Sequence, residues 1–131
     1  MNRVEQIDVL AIQGVSSIAV ASTNTARSYV FAMPVKRAVA LEVVFASPGT
    51  VEVDVDIEVG NEEVGTEGAA DANYAVPVGE STLISGAAAQ VYIVPFSPTV
   101  SKFARVKFTG TGSNDAGTTV TRCRILTAED N

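Results

Sequence analysis

The sequence has no histidine, no tryptophan and only one cysteine, Cys123. Without histidine the chain cannot form a Ser–His–Asp triad, a Cys–His pair or a His-ligated zinc site. Cys123 has no histidine to activate it as a nucleophile and no second cysteine with which to form an internal disulfide bond. Carboxylate pairs and Lys or Tyr chemistry are the catalytic routes that are left, and no spacing in the sequence favours them. We therefore do not expect an enzyme, a bound metal ion or a cofactor.

Basic residues and long apolar runs are also scarce. The chain has 9 Lys and Arg residues against 15 Asp and Glu residues, which gives a net charge of −6. This balance argues against nucleic acid as a partner, because such binding depends on neutralising phosphates, and against an anionic membrane surface. Glu5 and Asp8 interrupt the N-terminal region where a signal peptide is apolar, and no apolar run approaches the ~18 residues of a membrane span. We expect neither a signal peptide nor a transmembrane segment.

Aromatic residues make up only 6% of the chain, and its 47% hydrophobic content comes mainly from valine and alanine. Valine is β-branched and favours strands. Short alternating segments between Gly- and Pro-containing turns predict an all-β, single-domain antiparallel β-sandwich with a jelly-roll-like arrangement. The 131 residues fit one domain, residues 1–131, in which residues 1–25 are candidate arm or edge strands for oligomer or shell contacts. The predicted strands are Ile7–Ile12, Ser17–Ser22, Arg27–Met33, Ala38–Ala46, Val51–Val59, Asn73–Val78, Ser81–Ile84, Ala89–Phe96, Phe103–Thr109 and Thr118–Thr127.

A row of four carboxylates alternates with aliphatic residues in the stretch TVEVDVDIEV, residues 50–59. Alternate side chains on one strand face lie ~6.5–7 Å apart, which is wide for neighbours to share one calcium ion. We favour a solvated or cross-strand-paired face, with the counter-charge supplied by Arg105 and Lys107 or by Arg122 and Arg124 on a paired strand. A docking surface, and less readily a metal or catalytic site, are the alternatives. The candidate partner contacts in this row are Glu52, Asp54, Asp56 and Glu58.

The N-terminal third is uncharged between Asp8 and Arg27. In a monomer this stretch could form core strands and an exposed apolar edge, and in an oligomer it could form the contact surface, since an exposed Val- and Ala-rich edge invites pairing with another chain. We take the segment Val4–Ser22 as the second candidate contact surface. Its candidate contact residues are Val9, Ile12, Val15, Ile18 and Val20.

Two loops are longer than simple turns. The segment GNEEVGTEGAADA, residues 60–72, contains four acidic residues and no basic one, and we expect it to be solvated. The segment GTGSNDAG, residues 110–117, leads into a strand and lacks a following Gly-Lys-Ser/Thr, so it is typical of a hairpin tip and not of a phosphate-binding loop. Neither loop suggests a boundary between domains.

The closing segment SKFARVKFTGTGSNDAGTTVTRCRILTAEDN resembles the last hairpin of the small β-sandwich virion proteins of tailed bacteriophages, and RAVALEVVFASPGTVEVDVDIEVG resembles their preceding strands. The resemblance covers roughly residues 27–127 and depends on pattern and composition. It implies a structural virion protein on the capsid surface, made in the host cytoplasm. Such proteins often act as decoration or cement proteins that bind the major capsid protein, commonly as homotrimers. The chain lacks the long Pro-rich N-terminal arm that some of them have.

Two other functions remain open. A carbohydrate-binding β-sandwich module would need aromatic rings together with convergent polar groups, and this chain has eight aromatic residues in total, 5 Phe and 3 Tyr. Another phage structural part, such as a head–tail joining or tail protein, would assemble with ring symmetry instead of as a trimer.

Overall fold

The structure is a computed structural model that describes residues 2–34, 38–46, 51–79, 82–87, 90–98, 100–111 and 117–130. These described residues form ten strands and one short helix. The elements are β1 (Asn2–Asp8), α1 (Val9–Gln13), β2 (Ile18–Val20), β3 (Thr25–Arg27), β4 (Phe31–Ala32), β5 (Ala38–Phe45), β6 (Glu52–Gly60), β7 (Ile84–Ala87), β8 (Val91–Pro95), β9 (Phe103–Thr111) and β10 (Thr118–Asp130).

The strands form two antiparallel sheets, which confirms the predicted β-sandwich. Sheet A has the order β1-β10-β5-β8 with β2 also paired to β10, and sheet B has the order β3-β9-β6-β7 with β4 also paired to β9. If β1 and β2 count as one interrupted strand, and β3 and β4 as another, successive strands alternate between the sheets except at the β6–β7 hairpin. This is the double Greek-key arrangement of a jelly roll.

The core lies between the two sheets and is built by strict alternation along the strands. In β6 the aliphatic residues face inward and the acidic residues face outward, as period-2 side-chain geometry requires. Phe45 of β5 links the layers, because its ring makes edge-to-face contacts with Phe108 of sheet B at 6.4 Å and with Tyr92 of β8 at 5.9 Å between centroids. The acidic row is therefore displayed on the outer face of sheet B.

The first predicted strand, Ile7–Ile12, is wrong: β1 ends at Asp8 and α1 follows it. The Asp8 side chain accepts a hydrogen bond from the Ala11 backbone N–H at 3.2 Å and caps the helix. Gly14 ends it with a left-handed φ of 74°. Among the described residues, no helix is long and apolar enough to cross a membrane.

One further predicted strand needs correction, and another contains an irregularity. Residues 73–78 do not form a strand, and only one isolated bridge joins Val59 to Ala75. In β10 the pairing with β5 shifts between Val120 and Arg122, so Thr121 is an extra residue in a β-bulge. The bulge reverses the alternation, and Val120 lies in the core on the same side as Cys123 instead of beside Arg122.

Candidate functional site

The acidic row of β6 lies next to the basic residues of β9. The register places Asp56 opposite Lys107 and Glu58 opposite Arg105. This confirms the predicted cross-strand counter-charge from β9. The alternative pair, Arg122 and Arg124, belongs to β10 in the other sheet.

Glu58 is the centre of a buried ion cluster with two arginines. Its Oε1 atom lies 2.8 Å from Arg105 Nε and 3.0 Å from Arg27 Nε, which reaches it across β9 from β3. Glu58 is 5% exposed and Arg105 is 0% exposed. A carboxylate taken out of water needs such charge-assisted hydrogen bonds, because desolvation would otherwise disfavour its charged form. We call Arg27, Glu58 and Arg105 the ion cluster.

The ion cluster is buried although it lies on an outer sheet face, because the segment 61–79 folds back over it. Arg105 Nη1 donates a hydrogen bond to the Ala69 carbonyl at 2.8 Å. The guanidinium carbon of Arg105 lies 4.8 Å from the centroid of the Tyr74 ring, in cation–π geometry. Tyr74 is itself fixed, since its hydroxyl donates to the Glu62 carbonyl at 2.7 Å. We call residues 61–79 the covering loop.

The covering loop has an internal turn organised by Asp71. Its carboxylate accepts hydrogen bonds from the backbone N–H groups of Gly65 and Asn73, both at 2.9 Å. These two hydrogen bonds hold the pKa of Asp71 below its ordinary value. Glu67 anchors the loop to sheet B by accepting from the Val30 N–H at 3.0 Å. Most of residues 61–72 are exposed, as expected of a solvated loop, but the carboxylates of Glu67 and Asp71 accept hydrogen bonds from backbone donors that hold the loop in place.

The side chains of the ion cluster are arranged to hold two parts of the chain together and not to catalyse a reaction. Glu58 is already engaged by two guanidinium groups and is shielded from solvent, so it is a poor general base or nucleophile. Burial raises the pKa of Tyr74 above its ordinary value, against the opposing effect of the Arg105 charge, so its phenol stays protonated as a hydrogen-bond donor. The cluster therefore joins the covering loop to the sheet.

A cavity of about 300 Å³ lies between the covering loop and the β4 edge of sheet B. Its lining includes the aromatic side chains of Phe31, Tyr74 and Phe103 and the carboxylates of Glu63 and Glu67. Glu67 also accepts the hydrogen bond from Val30, so one wall of the cavity is held in place. The cavity combines apolar rings with acceptor oxygens.

The other three carboxylates of the acidic row differ in their contacts and in their exposure to solvent. Asp54 accepts a hydrogen bond from the Gly86 N–H at 2.9 Å and so fixes the bulged strand β7. Asp56 is half-buried opposite Lys107, and Glu52 is exposed. The prediction that all four carboxylates of the row could contact a partner needs correction. Glu58 is not accessible to a partner, and Glu52 is the most accessible of the four.

The apolar residues predicted to contact a partner fall into a buried group and an exposed group. Val9, Ile18 and Val20 lie in the core, at 0%, 7% and 1% exposure, so the structure corrects their proposed role as contacts with a partner. Ile12 and Val15 remain exposed, at 44% and 38%. The N-terminal segment thus serves mainly as edge strands of the sandwich.

The sequence predicted the Arg105 counter-charge but not the roles of Arg27, Tyr74 and Ala69. Within the part of the chain that the structure describes, no group of three or more Cys, Asp or Glu residues is arranged to hold a metal ion. Comparison with known proteins finds no matching family model, no matching curated protein and no matching solved structure.

Proposed function

We propose that this chain is a non-enzymatic structural virion protein, a capsid decoration protein that binds a shell of major capsid protein as a homo-oligomer and stabilises it. The observation that carries the proposal is the strand order of the two sheets, which is that of the jelly rolls used in viral capsid domains. Because one fold hosts many functions, the strand order supports the class by analogy. The resemblance of residues 27–127 to phage virion proteins supports the same class.

The charge distribution supports a shell-facing side. Acidic residues outnumber basic ones on the sheet B side. The acidic residues are Glu52, Asp54, Asp56 and Glu58 of β6 and four further ones in the covering loop, and the strands of sheet B also carry Arg27, Arg105 and Lys107. A basic strip on a capsid protein would complement this side, and such complementarity sets register and association rate more than affinity. The exposed acids available for contact are Glu52, Glu62 and Glu63.

Binding to preassembled shells tests the proposal. The purified chain is mixed with shells assembled from the major capsid protein of the virus that encodes it, and bound protein is measured after sedimentation. Saturation at a fixed ratio of chains to capsid protein supports decoration, and saturation at one chain per capsid protein, the ratio of a trimer at every local three-fold position, supports the trimer. No saturable binding at low salt would overturn the proposal.

Point variants locate the contact better than truncation. Deleting residues 1–16 would remove β1 and the buried residues Val9 and Leu10, so the loss of binding would follow from misfolding. The triple substitution of Glu52, Glu62 and Glu63 by Gln keeps the fold and removes exposed charge. We expect it to weaken binding and to flatten the salt dependence, because rim charges act mainly through steering.

A second candidate function, a carbohydrate-binding module, is favoured by the cavity at the covering loop. Apolar rings beside convergent acceptors are what a sugar site offers. Phe103 is half-buried there, and Glu63 is exposed. A glycan array with binders that quench tyrosine fluorescence and are lost on Phe103→Ala would support this candidate, and an array without binders would exclude it.

A further inference from the structure

The outer face of sheet A carries exposed apolar side chains on either side of one charged row, in contrast to the predominantly charged outer face of sheet B. Three of the large hydrophobic residues that are most exposed lie on it: Val4 of β1 at 69%, Val91 of β8 at 56% and Ile93 of β8 at 58%. Strand alternation and register place half-buried side chains on the same face between them, in β10 and β5. These are Leu126, Ala128, Ala40 and Val44.

A solvated face of an antiparallel sheet normally carries polar side chains. Sheet B follows this rule, and its buried portion is covered by the loop 61–79 of the same chain. None of the described residues forms an equivalent cover over Val91 and Ile93. An apolar sheet face of this kind indicates an interaction surface.

One charged row crosses this apolar face. The register aligns Asp8 of β1, Arg124 of β10, Glu42 of β5 and Ile93 of β8. Arg122 lies two positions before Arg124, and both line one cavity of about 260 Å³ with Asp8. In the row and its neighbour the two acidic side chains, Asp8 and Glu42, balance the two basic ones, Arg122 and Arg124, in a chain with a net charge of −6. Two copies can therefore approach each other through this face with little electrostatic repulsion.

The charged row is incompletely paired within one chain. Arg124 Nη1 lies 3.7 Å from Glu42 Oε1, which is an ion pair but longer than a hydrogen bond. Among the described residues, neither Glu42 Oε1 nor Arg124 Nε has a hydrogen-bond partner, although both atoms are buried. The Arg124 and Glu42 side chains are still 29% and 15% exposed, so their accessible parts can pair with a carboxylate and a guanidinium from outside the chain. An identical copy of this face provides both groups.

We propose that the outer face of sheet A is a self-association surface that packs against the same face of a second copy about a two-fold axis. In such an isologous contact Arg124 of each copy meets Glu42 of the other, and Val91, Ile93 and Leu126 are covered. Two sheets stack face to face in this manner ~10 Å apart. This inference does not rest on binding to a shell, and a two-fold dimer would replace the trimer that the resemblance to decoration proteins implies.

The size of the face predicts a weak dimer. The face spans four strands ~4.8 Å apart, each about seven residues long, so it measures roughly 20 Å by 23 Å. Two copies that pack face to face would therefore bury on the order of 900 Å² in total. Specific interfaces below about 1,200 Å² are typical of transient complexes. We therefore expect association in the micromolar to millimolar range.

Sedimentation equilibrium from about 10 µM to about 1 mM, a range set by the expected weak affinity, tests the dimer. The mass should rise with concentration from 13.6 kDa towards twice that value. Ile93→Glu should weaken association by roughly tenfold or more, since it places an unpaired charge in the contact. Val100→Glu, at a fully exposed valine outside this face, is the control for adding a charge to an exposed aliphatic position and should change nothing.

Charge reversal tests the two-fold geometry. Glu42→Arg and Arg124→Glu each place like charges opposite each other at positions 42 and 124 of the two copies, so each variant alone should remain monomeric, whereas an equimolar mixture should associate. Circular dichroism confirms that both variants are folded. The proposal is overturned if the wild-type mass stays at one chain up to about 1 mM, a concentration at which weak contacts form. It is also overturned if the wild type forms an oligomer that Ile93→Glu leaves intact, or if the two folded variants do not associate when mixed.

Discussion

Arg105 and Glu58 are joined by a hydrogen bond of 2.8 Å on the outer face of a sheet, and both side chains are buried there. An ion pair at this position in a two-layer sandwich would normally face water. The pair is shielded because Arg105 also binds the Ala69 carbonyl and lies under the Tyr74 ring. The stability of the covering loop and the stability of the ion cluster are therefore coupled.

Glu58→Gln should destabilise the chain strongly. It leaves the guanidinium groups of Arg27 and Arg105 near each other without the carboxylate that neutralises them. Breaking a buried pair by removing one partner costs about 3–5 kcal/mol. The free energy of unfolding, from urea denaturation followed by circular dichroism, measures the effect.

Glu52→Gln is the matched control, since Glu52 belongs to the same row but is exposed. Surface substitutions of this kind usually change stability by less than about 0.5 kcal/mol. If Glu58→Gln and Glu52→Gln have the same small effect, the ion cluster does not hold the covering loop.

Tyr74→Phe should destabilise the covering loop by a smaller amount. The substitution keeps the ring over Arg105 and removes only the hydrogen bond to the Glu62 carbonyl. The expected loss is about 1 kcal/mol, together with faster amide hydrogen exchange in residues 61–73. Tyr29→Phe, at a half-buried tyrosine outside this loop, should leave exchange in the loop unchanged.

The alkaline stability of the protein should also depend on Tyr74. Its pKa in the folded chain is raised by burial above the ordinary value of 10.0, so the unfolded chain loses the phenolic proton first as pH increases. The folded state then binds more protons than the unfolded state, and the free energy of unfolding falls with increasing pH. Between about pH 9 and pH 11, around the ordinary phenol pKa, the wild type should lose stability more steeply than Tyr74→Phe. Parallel slopes for the two proteins would contradict this.

The outward acidic row followed from the sequence, because strand side chains alternate with a period of two. The sequence left two pairs of basic partners open, and only the pairing of β6 with β9 selects Arg105 and Lys107. The covering loop did not follow from the sequence, since it depends on contacts between residues far apart, such as Arg105 and Ala69, which are separated by 36 positions. The helix α1 had visible signals in Asp8 and Gly14, but the apolar residues between them also suited a strand. The bulge at Thr121 had no local signal, because the alternation of residue types continues through it.

Cys123 should be unreactive in the folded protein. It is 0% exposed, and burial raises the pKa of its thiol far above the ordinary range. Since the thiolate is the reactive form, a disulfide reagent such as Ellman's reagent should label it only when the sandwich opens. Labelling should be slow in buffer and immediate in denaturant. Rapid labelling of the folded chain would show that the core around Cys123 is accessible to the reagent.

Gly60→Ala should loosen the covering loop at its origin. A Cβ atom at Gly60 would lie 2.7 Å from the Asn73 carbonyl oxygen and 2.9 Å from the Tyr74 ring, so the loop would have to move away from the sheet. Overpacking of this kind costs about 1–3 kcal/mol and would weaken the contact of Tyr74 with Arg105. Gly65→Ala is the control within the same loop, because its nearest atom, Asp71 Oδ2, would be 3.7 Å away. Urea denaturation should show a loss for Gly60→Ala alone, and equal losses for the two variants would mean that the close approach at Gly60 does not position the loop.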